Sequence, residues 1–374
     1  MLKPFCSLKN FRTAALGLVS LSMLGMFAAC GDDSSSPAAA PSNPVLSSSS
    51  TAVPPVGDNP NLPPASDLDD NGNPTGPFVG ENPVPGSSSG VDTPVNPPIV
   101  QGAYPDELLY TIDPSIAVVA DEDGFYDIAD IYKAVPQTSK IAFVIRHSAR
   151  ADSTGQLSPL TTKGAAQAKA LGERIGGTEP FYYASTNFVR TRETAANIAV
   201  GRGDTPVVET LDIIDGNYFY RKDATIDIED LKKKSTDLNT LISRYCYNVT
   251  FPNAETNALV YASFYPLYSR ANQFIKEVVL DNMANWKRVS ILVTHDVLAE
   301  PMVVYASNRA INLKAYSKAD GYRWVNFMSG AAIVVNEAGA VSIYPVRGYD
   351  VGWQNANDAK KEAQADTAAE PVIK

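Results

Sequence analysis

The stretch KIAFVIRHSAR, residues 140–150, decides the fold and points to the function. Its first part is a short apolar run rich in β-branched residues, which predicts a buried β-strand over 140–146. His147 follows this strand directly and lies between Arg146 and Arg150. Because positive charges this close together must be offset by acidic neighbours or by a bound anion, the end of this strand is a candidate anion site.

Strand and helix patterns alternate along the chain after this first strand. Such alternation predicts a mainly parallel sheet with helices on both faces, a three-layer α/β/α architecture. Helical patterns before the strand at 288–296 predict a helical cap insertion. We predict strands at 181–185 and 288–296, an extended segment at 206–214, a hairpin over 330–346, and helices at 162–175, 188–200, 224–248, 264–286 and 297–308, the last with Pro301 near its first turn.

The N-terminus has the pattern of an export signal over residues 1–29. Three basic residues within the first twelve precede an uncharged run over 13–29, which is marginal for a transmembrane helix of about 20 residues. The sequence FAAC, residues 27–30, resembles the lipobox of bacterial lipoproteins. The resemblance implies cleavage before Cys30, lipidation of its thiol and a place in the cell envelope, on the periplasmic or the cell-surface face. Ordinary secretion is the alternative.

The composition divides the rest of the chain into three parts. Residues 30–101 are rich in proline and serine, and such a segment buries too little apolar surface to fold, which predicts a disordered tether. Residues 102–353 have globular composition and are long enough for one large domain. Residues 354–374 form a polar tail.

Charge and cysteine content exclude several classes of function. The net charge of −10 argues against general binding to nucleic acid or to anionic membranes, so any anion must be bound in a local basic pocket. With Cys6 in the signal and Cys30 lipidated, Cys246 is left alone and cannot form an internal disulfide. No metal-ligand spacing is present, and we expect neither a metal nor a cofactor.

Both histidines of the chain follow the ends of predicted strands, His147 in RHSAR and His295 in THD. In parallel sheets ligands bind outside the carboxyl ends of the strands, so both imidazoles are expected at one edge. Arg190 begins a helix after another strand and can reach the same pocket. Arg192 is the alternative, because helical spacing lets only one of these two arginines point inward.

The motifs RHSAR, LTTKGAAQA, STNFVRT and THD, in that order, resemble those of the histidine phosphatase superfamily, which has the phosphoglycerate-mutase-like fold. The resemblance covers roughly residues 138 to 346 and is nearer to the acid phosphatase and phytase branch. It implies that His147 accepts the phosphoryl group and that Asp296 protonates the leaving oxygen. It also implies four phosphate ligands: Arg146, Arg150, Arg190 and His295.

The sequence departs from this pattern at two positions. Ser148 stands where the family usually has glycine, and Asp152 stands where a proline often follows. Asp152 could pair with Arg150 and withdraw it from the phosphate. Glu209 in VVETL is the alternative proton donor, because mutase-like members place their acid on a loop in this region.

We therefore expect a lipid-anchored, metal-independent phosphomonoesterase that acts through a covalent phosphohistidine on a small phosphorylated substrate. Two alternatives stay open at this point. One is a phosphotransferase or mutase, and the other is a catalytically silent module that binds a phosphorylated ligand at the cell surface.

Overall fold

The computed structural model describes residues 104–151, 155–221, 237–251 and 253–357. The predicted signal peptide, the lipidation site Cys30 and the tether over 30–101 lie outside the described residues. The same holds for Asp152 and for most of the predicted tail. Among the described residues, no helix is both long and apolar enough to cross a bilayer.

The elements of the described residues follow the predicted alternation. Besides helices and strands, the structure contains two 3₁₀ turns, Asp212–Ile214 and Gly216–Phe219, and one π-helical segment, Phe274–Leu280, within the described residues. The helices are α1 Ile128–Ala134, α2 Thr162–Ile175, α3 Val189–Arg202, α4 Leu238–Cys246, α5 Ala254–Ser263, α6 Leu267–Gln273 and α7 Asp296–Ala306. The strands are β1 Tyr126–Asp127, β2 Lys140–Arg146, β3 Tyr182–Ser185, β4 Val208–Thr210, β5 Val289–Thr294, β6 Arg323–Val325, β7 Gly330–Val335, β8 Val341–Arg347 and β9 Trp353–Asn355.

The main sheet is mixed but mostly parallel. Within the described residues, seven strands form it in the order β1-β8-β7-β2-β5-β3-β4. Strands β2, β5, β3 and β4 are parallel neighbours, and β7 is antiparallel to both β2 and β8. The predicted fold class is therefore confirmed. The carboxyl ends of β2, β3, β4, β5 and β8 lie at one edge of the sheet, and so does the amino end of β7.

Apolar side chains cover both faces of this sheet. Along β2, Ala142 and Val144 belong to one buried cluster, whereas Phe143 belongs to a second cluster on the opposite face, as the alternation of side chains along a strand requires. Helices α1, α2 and α3 bury their apolar residues in the second cluster, and α4 to α7 bury theirs in the first. The arrangement is thus three-layered, with α4, α5 and α6 packed in the same layer as α7.

Several predicted boundaries need correction. The extended segment 206–214 is a strand only over Val208–Thr210 and then becomes a 3₁₀ turn, because its apolar run continues into a buried turn rather than along the sheet edge. Of the helix predicted over 224–248, the described part is α4, and residues 222–236 lie outside the description. Helix α5, with only weak amphipathic periodicity, was not predicted.

Two further corrections concern the C-terminal part of the chain. Helix α7 begins at Asp296, so Pro301 is its sixth residue and lies inside the helix, rather than near its first turn. The predicted domain boundary at 353 is also short, because Gln354 and Asn355 belong to β9 and pair with β6. These polar residues form an edge pair that gives no apolar pattern in the sequence.

The segment that precedes β1 is tied to the domain by side chains far away in sequence. Asp106 Oδ1 accepts hydrogen bonds from the backbone N–H groups of Tyr268 and Ser269 in the first turn of α6. The residue before this helix is Pro266, whose side chain makes no capping bond. A carboxylate near a helix N-terminus satisfies unpaired donors and the positive end of the helix dipole, so Asp106 caps α6 from outside.

Candidate active site

Both histidines lie at the carboxyl edge of the parallel strands, as predicted. His147 follows β2 and His295 follows β5, and these strands are hydrogen-bonded neighbours. The two imidazole rings lie 5.7 Å apart between centroids, at 69° to each other, and are 3% and 5% exposed. The parallel register thus brings together two residues that are 148 positions apart in sequence.

The surroundings of His147 fix its tautomer. Nδ1 lies 2.7 Å from the carbonyl oxygen of Ser148, which can only accept, so Nδ1 must carry the proton. Nε2 accepts a hydrogen bond from Nε of Arg190 at 3.2 Å, and a guanidinium can only donate. Both contacts require the same neutral form, in which Nε2 is unprotonated and its lone pair is directed at the guanidinium of Arg190.

His295 has the opposite arrangement. Its Nδ1 lies 3.2 Å from Nη2 of Arg190 and therefore accepts, which places the ring proton on Nε2. Nε2 lies 3.0 Å from Oγ1 of Thr186 and 3.7 Å from Oδ1 of Asp215. A single guanidinium, that of Arg190, thus connects the two imidazoles.

Burial and positive charge keep both imidazoles neutral. Burial, followed by Arg190 and Arg146, lowers the pKa of His147 well below its ordinary value. Burial and Arg190 lower the pKa of His295 to about 3, although the nearby Asp296 acts in the opposite direction. At neutral pH the site therefore presents two uncharged rings among guanidinium groups.

Arg146 is held at the floor of the site. Nη1 donates to the carbonyl oxygen of Val325 at 2.7 Å, and Nη2 forms an ion pair with Oδ2 of Asp296 at 3.1 Å. Its guanidinium lies 4.3 Å from the ring centroid of Phe327. Nε is buried and has no hydrogen-bond partner among the described residues. A buried donor without a partner is costly, so Nε–H is a donor that a ligand oxygen can satisfy.

The remaining arginines divide as the sequence analysis anticipated. Arg190 points inward, whereas Arg192 donates to Oγ1 of Thr210 at the end of β4. Arg150 forms a β-bridge with Leu160, and its charge contributes to lowering the pKa of Arg190 to about 10, after the larger effect of burial. The predicted contacts of these arginines with a phosphate stay predictions.

Asp296, the predicted proton donor, is held as a carboxylate. It is the first residue of α7, and its Oδ2 accepts from Nε1 of Trp324 at 3.3 Å in addition to the ion pair with Arg146. Burial by itself would raise the pKa of Asp296, but Arg146 and the indole N–H of Trp324 hold it below its ordinary value. This environment disfavours the protonated form that an acid catalyst needs.

Asp215 is a candidate acid that the sequence analysis missed. It lies between the two 3₁₀ turns after β4, with a half-exposed side chain beside His295. Burial, reinforced by Asp212, raises the pKa of Asp215, although its carboxylate accepts a hydrogen bond from the N–H of Gly216. The signal in the sequence was an acidic residue just after β4, hidden because the extended segment was drawn through 214.

Glu209, the alternative donor named from the sequence, lies elsewhere. It is exposed on the edge strand β4, and its Oε2 accepts a hydrogen bond from the hydroxyl of Tyr182 at 2.9 Å. Tyr182 is the first residue of β3, whereas the site lies beyond the last residue of that strand. The carboxylate of Glu209 is thus engaged away from the two histidines.

Ser148 is accommodated in the position where the family usually has glycine. Its backbone is not in the positive-φ region, so it does not need the conformational freedom of glycine. Its N–H donates to Oγ1 of Thr194 at 2.9 Å, and its hydroxyl donates to the carbonyl oxygen of Gly164 at 2.8 Å. The side chain of Ser148 is fully buried, and its hydroxyl is directed at helix α2.

A family model described as the histidine phosphatase superfamily (branch 1) matches residues 143–316. The matched range includes both histidines, most of β2, and the parallel strands β3, β4 and β5. Over this range the chain is similar to members of that superfamily. Members of the histidine phosphatase superfamily are phosphatases and mutases. The match names branch 1, and the resemblance to the acid phosphatase and phytase branch stays a prediction.

Solved structures with a similar arrangement share little sequence with this chain. A phosphoglycerate mutase from Bacillus anthracis is 15% identical, with 56% of this chain and 93% of that chain covered and a TM-score of 0.34. A mycobacterial glucosyl-3-phosphoglycerate phosphatase is 14% identical, with 58% and 97% covered and a TM-score of 0.32. The protein histidine phosphatase SixA, solved with tungstate, is 12% identical, with 56% and 97% covered and a TM-score of 0.29. Curated protein sequences give no match.

Proposed function

We propose that this domain hydrolyses phosphate monoesters through a covalent phosphohistidine on His147. The observation that carries the proposal is the combination of two groups in one buried site. One is the neutral imidazole of His147, whose unprotonated Nε2 accepts a hydrogen bond from Nε of Arg190. The other is the buried Nε–H of Arg146, which has no partner among the described residues. A nucleophile and an unused cationic donor together suit a phosphoryl group.

The position of the Arg190 guanidinium also supports binding of a phosphoryl group at this site. It donates to Nε2 of His147 and Nδ1 of His295, so it occupies the space between the two lone pairs. Phosphoryl oxygens are stronger acceptors because they are charged, and they would take these donors from the imidazoles. Binding would then free Nε2 for attack while Arg190 and Arg146 neutralise the oxygens. Positioned charge of this kind supplies most of the catalysis in phosphoryl transfer.

The chemistry divides into two steps. In the first, the lone pair of Nε2 forms a bond to phosphorus, the ester P–O bond breaks, and its electron pair goes to the leaving oxygen, which takes a proton from an acid. In the second, water attacks phosphorus, a carboxylate takes a proton from the water, and the P–N bond electrons return to Nε2. The products are an alcohol and inorganic phosphate, and no metal is required.

Asp215 suits the role of this acid better than Asp296. Its raised pKa keeps a larger protonated fraction, and it borders the site beside His295. A positioned acid is worth about 10²–10⁴-fold for a poor leaving group. Asp296, paired with Arg146, would instead hold that guanidinium in place. Asp296 as the proton donor stays the prediction made from the sequence, and the two carboxylates can be separated by mutation.

The setting of the enzyme is part of the proposal. The sequence of residues 1–101 supports export, lipidation of Cys30 and a tether to a bacterial membrane, and the substrate is a small phosphorylated molecule in the cell envelope. This part rests on sequence pattern alone. Labelling of Cys30 with a fatty-acid analogue, lost in Cys30→Ala, would test it.

The activity is tested on a chain that starts at residue 102. The protein is incubated with a chromogenic phosphomonoester with and without a chelator, then quenched and examined for an acid-labile phosphoprotein. We expect turnover that is indifferent to the chelator and a phosphoprotein that is absent in His147→Ala. Binding of the ester without turnover between pH 3 and 8 would overturn the proposal in favour of a silent binding module. A need for a phosphorylated donor, with little net release of phosphate, would favour a phosphotransferase or mutase.

A further inference from the structure

Ser148 is connected to the C-terminal part of the sheet edge by side-chain hydrogen bonds. The hydroxyl of Tyr349 lies 2.9 Å from Oγ of Ser148 and 2.5 Å from Oε1 of Gln167 on α2, and its single proton is shared between these two acceptors. The same Ser148 hydroxyl donates to the carbonyl oxygen of Gly164 in the first turn of α2. Ser148, Tyr349 and Gln167 together are called the Ser148 clamp below.

The topology explains why Tyr349 is present at the site. It follows β8, whose carboxyl end lies at the same edge as those of β2 and β5. Its ring lies 6.3 Å from that of Phe327, which in turn lies 5.9 Å from the imidazole of His147. Tyr349 is therefore connected to His147 in two ways, through Ser148 and through the ring of Phe327.

The close packing of α2 against the loop after His147 makes the clamp possible. A Cβ at Gly164 would lie 2.2 Å from the carbonyl oxygen of Ala149, so only glycine allows this approach. Thr161, the N-cap of α2, donates its N–H to the same carbonyl at 2.9 Å. Helix α2 thus holds the loop that contains Ser148, and Gln167 on the same helix holds Tyr349.

The peptide group of Ser148 links the clamp to the nucleophile. Its carbonyl oxygen accepts the Nδ1 proton of His147, and its N–H donates to Thr194. With its side chain and its N–H bound, this residue has little freedom to turn its carbonyl away from Nδ1. The orientation of that carbonyl, together with the hydrogen bond that Arg190 donates to Nε2, leaves Nε2 without a proton.

We propose that Tyr349 and Gln167 are positioning residues, which fix the reactive tautomer of His147 through Ser148. The clamp provides by side-chain bonding the rigidity that a glycine backbone would not provide at this position. The proposal rests on the proposed function only for its kinetic consequence. The tautomer itself is a property of the folded protein and can be observed without turnover.

The test uses nitrogen-15 histidine labelling, because the chain has only two histidines and the His295→Gln variant assigns their signals. Tyr349→Phe removes the hydroxyl and keeps the ring against Phe327. We expect the protonated-Nδ1 form of His147 to lose population, and the rate of phosphoprotein formation to fall about 3–10-fold, as for one lost hydrogen bond. KM should change less than kcat. Gln167→Leu should act in the same direction and serves if Tyr349→Phe fails to fold.

Two comparisons separate the clamp from a general loss of stability. Tyr261→Phe, which removes an exposed tyrosine bond to Asn248, should leave both the tautomer and the rate unchanged. In Ser148→Gly, which removes the clamp at its centre, adding Tyr349→Phe should cause no further loss. Additive losses, or an unchanged tautomer in Tyr349→Phe and Gln167→Leu, would overturn the proposal. An altered tautomer in a protein that hydrolyses no phosphomonoester would support the clamp and refute the proposed function.

Discussion

The ends of β2 and β5 place the same residue type at the same edge of the sheet, yet the two imidazoles carry their protons on different nitrogens. At the end of β2, the carbonyl oxygen of Ser148 accepts a hydrogen bond from Nδ1–H of His147. At the end of β5, Arg190 contacts the Nδ1 of His295, and the proton lies on Nε2. Each ring therefore presents a different group to its surroundings.

The difference shows that position on the fold does not by itself define a role. His147 directs a lone pair into the site and is suited to attack. His295 directs Nε2–H toward Thr186 and Asp215, so it is suited to orient neighbouring groups. Since the strands are neighbours in register, the distinction comes from the hydrogen-bond partners alone.

The strongest way to break this comparison is to remove each ring in turn. We expect His147→Gln to lower kcat/KM by about 10⁴-fold or more and to form no phosphoprotein, as for loss of a catalytic nucleophile. His295→Gln should lose about 10²–10³-fold, as for one transition-state donor, and still form the phosphoprotein slowly. Quenched-flow measurement of acid-labile phosphate checks both. Equal losses with no phosphoprotein in either variant would contradict the division of roles.

The second test concerns the acid beside His295. Asp215→Asn should lower kcat/KM by about 10²–10⁴-fold for an alkyl phosphate and much less for an aryl ester, whose leaving oxygen needs no proton. Because the protonated form is the active one, activity should fall as the pH rises through the raised pKa of Asp215, and this limb should disappear in the variant.

Matched carboxylates serve as controls for this test. Glu209→Gln, an exposed residue bound to Tyr182, should leave the pH profile unchanged. Asp296→Asn should lower activity similarly for alkyl and aryl esters, because its carboxylate holds Arg146. Dependence on the leaving group in Asp296→Asn, rather than in Asp215→Asn, would restore the donor predicted from the sequence.

The smallest expected effect is on stability. Both imidazoles stay neutral in the folded chain down to low pH, that of His295 to about 3, whereas they charge near 6.5 when the chain unfolds. Between these values the unfolded chain binds more protons, so stability falls as the pH falls below 6.5. Each ring contributes up to about 1.4 kcal/mol per pH unit, roughly 3–5 °C in Tm.

Thermal unfolding scans between pH 7 and 4 check this expectation. The double variant His147→Gln/His295→Gln should show a shallower dependence of Tm on pH than the unaltered protein. Parallel curves would mean that other groups cause the acid sensitivity.

The sequence predicted best those features that depend only on a short stretch of neighbouring residues. The buried strands and the two strand-end histidines follow from short apolar runs, and the parallel alternation places them at one edge. Helical spacing allows only one of Arg190 and Arg192 to point inward, and the choice of Arg190 came from the family resemblance rather than from the spacing.

Contacts that depend on strand order could not be predicted. Tyr349 and Phe327 reach His147 only because β7 lies beside β2 and β8 lies beside β7, an order that local patterns do not specify. Asp215 was missed for a related reason. Whether β4 ends at 210 or at 214 decides which carboxylate borders the site, and the apolar pair Ile213 and Ile214 suits a strand and a buried turn equally well.

The external cap of α6 by Asp106 has a practical consequence for shortened versions of this protein. A truncation chosen from the motif-bearing region alone would begin near β2 and would leave two amide protons of a largely buried helix without an acceptor. The same cut would remove the backbone carbonyls of Pro105 and Glu107 that accept from the Asn272 side chain. Recombinant versions should therefore retain the residues from Tyr104 onward.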